Sequence, residues 1–351
     1  MEKILKFKTL SLVLAALPLS VSCEYTFDLN GLGTEGKVYL TCVAGSSDTT
    51  VFELATTLPI KDIPGSPVPT DNARASLSVN GTPVELSRST DSSSGIPEGS
   101  FYILRRFSPG DVLDFSASVE GLDAVSASTV IPEKFPEVAT EVSLDSAYNS
   151  SGNPYKTVTF TVSFDDDPGS EDYYGISVRR LTYYEKLFDQ TQETFDNEDY
   201  EGWMTLVYDT ADETTSRDPA LTTYYSGGNG INDQYGGEMI LWDDGPFNGK
   251  RASLEVSVVY DQDECYTMKT GVLNCRYKYR LVLYRLSPEF YRKVKSDYII
   301  SNNSYISQGL VSPSFIYTNV NGGLGLFGSL SVSRSPWLGN PGGLADAGRY
   351  E

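Results

Sequence analysis

The sequence contains no histidine. Ser-His-Asp and Cys-His activation of a nucleophile, general base catalysis by imidazole, histidine-held zinc or haem, and any imidazole-based pH switch are therefore excluded. Carboxylate, lysine, tyrosine and cysteine chemistry stays open. Basic residues are scarce: 27 Lys and Arg stand against 47 Asp and Glu, a formal net charge of −20 over 351 residues. With no surplus of cations to neutralise phosphates, nucleic acid and anionic lipid headgroups are not expected as partners. Cysteine is also sparse, with 4 in the chain and none in a CxxC pair, so a thiolate metal centre is not expected. Internal repeats and low-complexity tracts are missing. What remains is a globular composition, 40% hydrophobic with 12% aromatic, and a length that allows two cores, since one core rarely grows much beyond about 250 residues.

The first residues form an export leader. Lys3, Lys6 and Lys8 precede an apolar run from Leu10 to Leu19, which is followed by Ser20, Val21, Ser22 and Cys23. The run is too short to span a bilayer and reads as a signal peptide over residues 1–22. The residue after it is a cysteine rather than an ordinary small residue. That points to diacylglyceryl transfer to Cys23, with Leu19 one place earlier than the usual leucine. Membrane lipid is thus an expected partner through Cys23. No later stretch reaches the ~18 apolar residues that a membrane helix needs, so lipid is the expected anchor. Cys265 and Cys275 flank TMKTGV, whose Gly271 lets two strands fold back, and a hairpin disulfide between them is expected in an oxidising compartment. Cys42, in KVYLTCVAG, is expected to be a buried thiol without a partner.

Short apolar and β-branched runs punctuated by Gly, Pro and Asn describe a mainly β protein. ASLSVNGTPVELS pairs two alternating segments around Asn80-Gly81, the residues of a tight hairpin turn. FYILRRF and the two strands around Gly121 continue the pattern, which is that of a small β-sandwich over residues 23–133. PEKFPEV is a linker, and residues 134–351 form a larger β-rich domain. Within it YKTVTFTVSF alternates strictly, and YYGISVRRLTYY, MILWDD, RASLEVSVVY and KYRLVLYRL are further strands. Only one helix is expected, near the C-terminus, capped by Ser287 and started by Pro288 and Glu289, running to about Tyr298.

Four segments carry a resemblance: LYRLSPEFYRKVKS, SPSFIYTNVNGGLGLFGS, DDGPFNGK and DDPGSEDYY. The matching positions are Asp167, Pro168, Tyr173 and Tyr174; Phe247, Gly249 and Lys250; Ser287 and Tyr291; and Tyr317, Asn319, Val320, Gly322, Gly323, Gly325, Phe327 and Gly328. On these the chain resembles the Bacteroidota lipoprotein family catalogued as domain of unknown function 4249, over nearly all of the mature sequence. Thr318 stands where the family pattern has Ser. The resemblance implies an outer-membrane, cell-surface lipoprotein with an N-terminal immunoglobulin-like or transthyretin-like sandwich and a β-rich C-terminal domain. It also implies association with a TonB-dependent transporter. It implies no reaction and no catalytic residue. The tripeptides starting at Asp48, Asp145 and Asp209 are similar to the O-glycosylation sequence of exported proteins of that phylum, with Thr49, Ser146 and Thr210 as acceptors.

Other motifs weigh less. Gly323, Gly325 and Gly328 satisfy GxGxxG, but a dinucleotide site needs a strand before it and a helix after it, and the bland expectation is a glycine turn where backbones pack closely. The clusters Asp165-Asp166-Asp167, Glu171-Asp172 and Asp243-Asp244 offer hard oxygen ligands for structural calcium. None has the spacing of a calcium loop, and turns favour aspartate anyway. No cofactor is expected. The acidic, aromatic insertion from Glu185 to Glu238 carries Tyr200, Trp203, Tyr208, Tyr224, Tyr225 and Tyr235. Long connections are often functional and aromatics favour binding surfaces, so these six are the candidate partner or ligand residues. The leading expectation is a non-enzymatic accessory or ligand-presenting partner of a TonB-dependent transporter in nutrient uptake. The alternative is a structural envelope or adhesin-like protein making contacts through its sandwich, and a carboxylate or tyrosine enzyme is the third reading.

Overall fold

The computed structural model of the chain describes residues 36–45, 47–58, 70–91, 95–148, 151–187, 200–203, 222–224, 239–260, 272–302 and 317–338. Among these the protein is mainly β, with a single helix. Strict alternation of apolar and polar residues produces the strands, because a period of two puts one row of side chains in the core and the other in water. β7 (Val112–Ser118) and β8 (Val125–Val130) show this row by row, with Leu113, Phe115, Ala117, Val125 and Ala127 buried and the intervening residues exposed.

The four strands β3 (Arg74–Val79), β4 (Thr82–Val84), β7 and β8 make a small sheet in the order β4-β3-β7-β8. Asn80 (φ 52°) and Gly81 (φ 75°) join β3 to β4 with both turn residues left-handed, as the hairpin reading requires. A second small sheet has the order β15-β10-β9, formed by β9 (Val138–Tyr148), β10 (Pro154–Asp165) and β15 (Arg251–Val259). Both small sheets pack on one face of a large sheet. Its path runs through β13 (Thr222–Tyr224), β14 (Met239–Asp243), β11 (Tyr173–Leu187), β16 (Val272–Leu286), β17 (Leu324–Arg334), β1 (Val38–Ala44), β2 (Thr49–Thr56), β6 (Phe101–Leu104) and β5 (Ser87–Arg88), with β12 (Tyr200–Trp203) attached to β11.

The core is divided accordingly. Phe160, Val162 and Phe164 of β10 meet Tyr174, Ile176, Trp242 and Leu281 of the large sheet. Leu77, Leu113 and Phe115 meet Leu40, Phe52 and Phe327, and the Phe52 and Phe115 rings stack at 4.6 Å. The opposite face of the large sheet is covered by the helix α1 (Pro288–Asn302), through Phe290 and Tyr291 against Tyr173, Leu241, Tyr284 and Leu330. α1 starts at Pro288 as its cap predicts, with the Phe290 N–H donating to Ser287 Oγ at 3.3 Å, and it continues about one turn past Tyr298. No helix among the described residues is long and apolar enough to cross a membrane.

The N-terminal sandwich and the C-terminal sheet are joined by hydrogen bonds. β1 pairs in parallel with β17, so that Leu40 lies opposite Gly325 and Cys42 opposite Phe327. This is what the glycine block is for. A Cβ on Gly325, whose φ is +108°, would sit 2.0 Å from the Leu40 carbonyl oxygen, so only a residue without a side chain lets the two backbones approach. Gly325 and Gly328 lie within a strand, and the dinucleotide-type match has no phosphate-binding geometry. Asn319 finishes the junction: its Nδ2 donates to the Phe327 carbonyl at 2.7 Å and its Oδ1 accepts from the Phe327 N–H at 3.0 Å, as a strand neighbour would. The insertion from Glu185 to Glu238 also contains regular structure, since β11 runs to Leu187 and β12 and β13 pair with the large sheet.

Candidate functional site

Among the described residues, buried charge concentrates where two acidic loops converge at the start of β11. One loop connects β10 to β11 and carries Asp166, Asp167, Ser170 and Asp172; the other follows β14 and carries Asp244, Asn248 and Gly249. Arg285, near the end of β16, reaches the same point. Asp166, Asp172 and Asp244 are all buried, and one oxygen of each lies within 4.8 Å of the others.

Burying three carboxylates is costly unless each is paired, and here the partners are built in. The Arg285 guanidinium forms an ion pair with Asp172, its Nε donating to Oδ1 at 3.1 Å. Ser170 Oγ donates to Asp172 Oδ2 at 3.0 Å. The Tyr174 hydroxyl donates to Asp166 Oδ1 at 2.6 Å, and the Gly249 N–H donates to Asp166 Oδ2 at 2.8 Å. Asp244 Oδ2 accepts from the Asp172 N–H at 3.0 Å and from Asn248 Nδ2 at 3.1 Å. Gly249 (φ +70°) brings its N–H to Asp166 in a conformation where a Cβ would lie 2.6 Å from the Pro168 side chain.

The electrostatics follow. Burial, the Asp166 hydrogen bond and the charges of Asp172 and Asp166 hold the Tyr174 hydroxyl protonated far above its ordinary range. Burial raises the Asp244 carboxyl, the backbone N–H of Asp172 pulls it down, and the Asp166, Asp172 and Asp243 carboxylates raise it further. Burial works against the charge on Arg285, but its hydrogen bond and ion pair with Asp172 more than offset that. An aromatic wall closes the cluster: the Tyr174 ring lies 5.3 Å from Phe164, 5.8 Å from Trp242 and 6.5 Å from Phe247. Chemically this is a crosslink between two loops and a strand. Hydrogens from Tyr174, Gly249, Ser170, Asn248 and Arg285 already occupy oxygens that a cation would need.

Several residues that carry the sequence resemblance meet here or beside it. Tyr174, Phe247 and Gly249 build the cluster. The Tyr173 and Tyr291 rings lie 4.6 Å apart at a tilt of 31°, and the Tyr291 hydroxyl donates to Asp243 Oδ2 at 3.1 Å. Burial and the Glu171 hydrogen bond push the Tyr173 hydroxyl up to about 12. Sequence reasoning picked out the acidic clusters but missed Arg285 and Asn248 as their partners. The available signal was Arg285 next to the end of the otherwise apolar run LVLYRL.

The other expected site residues that the structure describes lie on several strands. Tyr200 and Trp203 lie on β12, opposite Thr182 and Arg179 of β11, and Tyr224 lies on β13 opposite Met239. β12 and β14 follow one another along the same edge of β11, so the insertion contributes backbone to that edge. Tyr208, Tyr225 and Tyr235 lie outside the described residues, as do Cys23, Cys265 and Thr210. Cys275 is on β16, opposite Tyr184. Thr49 is half-buried at the start of β2, and Ser146 is exposed on β9. Cys42 is a buried free thiol, raised well above its ordinary pKa by burial and by the Glu53 charge.

No curated protein matches the chain. Among solved structures, the collagen binding domain of Erysipelothrix rhusiopathiae surface protein RspB is similar at 8% identity, over 86% of this chain and 96% of that one, with a TM-score of 0.16. At that score nothing about fold or binding follows. One family model, described as Domain of unknown function (DUF4249), matches residues 23–335. The match takes in both small sheets, the loop cluster, α1 and the glycine block, and the chain belongs to that family.

Proposed function

We propose that the protein is an outer-membrane lipoprotein, anchored through Cys23 and exposed at the cell surface. In this reading it works without catalysis, as an accessory or ligand-presenting partner of a TonB-dependent transporter in nutrient uptake. The observation that carries the reading is where the family match begins. It starts at Cys23, the first residue after the lysine-led apolar leader. A domain preserved from a lipidated cysteine onward suits a tethered partner, since the tether limits the domain's search to the membrane plane.

Two further points support it. The buried Asp166, Asp172 and Asp244 cluster has its donors supplied from within the fold, as a structural crosslink needs. The aromatic insertion joins the large sheet through β12, with Tyr200 and Trp203, on β11 and through β13, with Tyr224, on β14, so its backbone has a rigid base. Lipidation is tested by palmitate labelling and fractionation. The wild type should carry label and sediment with outer membranes, and Cys23→Ala should lose both. Label-free protein in the soluble fraction of wild-type cells contradicts the anchor. Deleting the protein should lower uptake by its transporter without lowering the transporter's abundance, and unchanged uptake contradicts the accessory role.

A further inference from the structure

Among the described residues, the small sheet β15-β10-β9 ends in two unshared edges, and they differ. On β15 the core-facing residues Leu254, Val256 and Val258 are fully buried. On β9 the core-facing row of Val138, Thr140, Val142 and Leu144 is only half-buried, although Val138, Val142 and Leu144 pack against the same core. β9 is 11 residues long, and among the described residues it hydrogen-bonds to β10 alone. Tyr148, at its end, is 69% exposed. Among the described residues, no neighbour finishes covering this row. A long free strand edge also presents a line of unused backbone donors and acceptors.

The other face of this sheet selects the charge of that neighbour. By register, Glu141 and Asp145 of β9 share that face with Thr161 and Thr157 of β10 and with Glu255 of β15. Arg251 is the sole cation in these rows, and it pairs with Asp165 at 3.7 Å. A second copy of the chain is poorly suited. Laying Val142 against Leu144 of another β9 in antiparallel fashion puts Glu141 opposite Asp145, and like charges directly opposite destabilise a strand pair.

We propose that β9 is a docking edge for an extended segment of another protein, with lysine or arginine opposite Glu141 and Asp145 and β-branched or aliphatic residues opposite Val142 and Leu144. The guest pattern is basic, apolar, any residue, apolar, basic. Main-chain hydrogen bonds hold the guest, and the alternating side chains set its specificity. Ser146, an expected glycosylation site, lies beyond this five-residue stretch. The inference does not depend on which protein supplies the strand, nor on a transporter being the partner.

The test uses the full-length protein and a fluorescent peptide of sequence Thr-Lys-Val-Thr-Val-Lys-Thr at low ionic strength, read by anisotropy. Saturable binding is expected. Glu141→Lys combined with Asp145→Lys should weaken it about tenfold or more, since two favourable cross-strand pairs become repulsive. Both positions are exposed, and an unchanged thermal transition confirms that the variant is folded. A peptide with the same side chains but N-methylated backbone should bind no better than a scrambled one. Three results overturn the proposal: binding that the charge-reversal variant leaves unchanged, a glutamate-for-lysine peptide that binds equally well, or sedimentation as a dimer that the same variant alters.

Discussion

Asp172 and Arg285 are 113 residues apart in sequence, yet the Arg285 Nε stands 3.1 Å from Asp172 Oδ1 with both side chains buried. This ion pair fastens the β10–β11 loop to the end of β16, and Asp166 and Asp244 are arranged around it. Removing one partner leaves the other charge buried and alone. Arg285→Met should cost about 3–5 kcal/mol, read as a shift in the urea unfolding midpoint. Asp172→Asn in the Arg285→Met background should restore part of that loss, because the Asp172 charge is then no longer stranded.

Asp244 makes the opposite prediction. Its carboxyl is raised in the folded state, so the contribution it makes as an acid is complete below its unfolded pKa and is lost as pH rises through its folded pKa. Asp244→Asn keeps an oxygen for the Asp172 N–H and Asn248 while removing the repulsion. The variant should be at least as stable as wild type at neutral pH and should lose less stability between acid and neutral pH. A cation held by the three carboxylates would reverse the sign, with Asp244→Asn the less stable protein and more so in added calcium. Thermal melts across pH, with and without calcium, decide it.

Gly325→Ala tests the junction between β1 and β17. The new methyl group would lie 2.0 Å from the Leu40 carbonyl oxygen, at a φ of +108° that alanine resists. The cost should be about 3 kcal/mol or more, seen as insoluble protein or a much lower melting temperature. Gly81→Ala is the control. It has φ +75° and no atom within 4 Å of the added Cβ, so the cost there should be only about 1 kcal/mol.

Cys42 is buried, and its thiol is raised well above the ordinary range by that burial. In native protein it should resist a thiol reagent for as long as the fold persists, and it should react at once in denaturant. Peptide mapping of the labelled protein reads this. Fast labelling of Cys42 in the native state would contradict its place in the core beside Leu40 and Phe327.

The parts of this structure that were legible in the sequence are the local ones. Asn80-Gly81 turns the chain by its own backbone preference, and Ser287-Pro288-Glu289 starts α1 with its own side chains, so neither needs the rest of the fold. Alternation in YKTVTFTVSF predicts a strand and its buried face, and β10 is that strand. Alternation does not say which strand lies alongside. The parallel pairing of β1 with β17, across nearly the whole chain, was therefore invisible, although the glycines that permit it were conspicuous. β12 and β13, of 4 and 3 residues, are too short to show any period, so the insertion read as a plain connection. The acidic turns were seen, but Arg285, the partner of Asp172, lies on a strand whose register no local rule gives.

Co-purification measures the proposed tethered partnership directly. A tagged protein is extracted in mild detergent from outer membranes of its native cell, and the recovered proteins are quantified against a Cys23→Ala control. The prediction is a TonB-dependent transporter recovered in near-stoichiometric amount with the wild type and depleted from the control. Repeated recovery of the wild type alone, from membranes in which the transporters are intact, would contradict it.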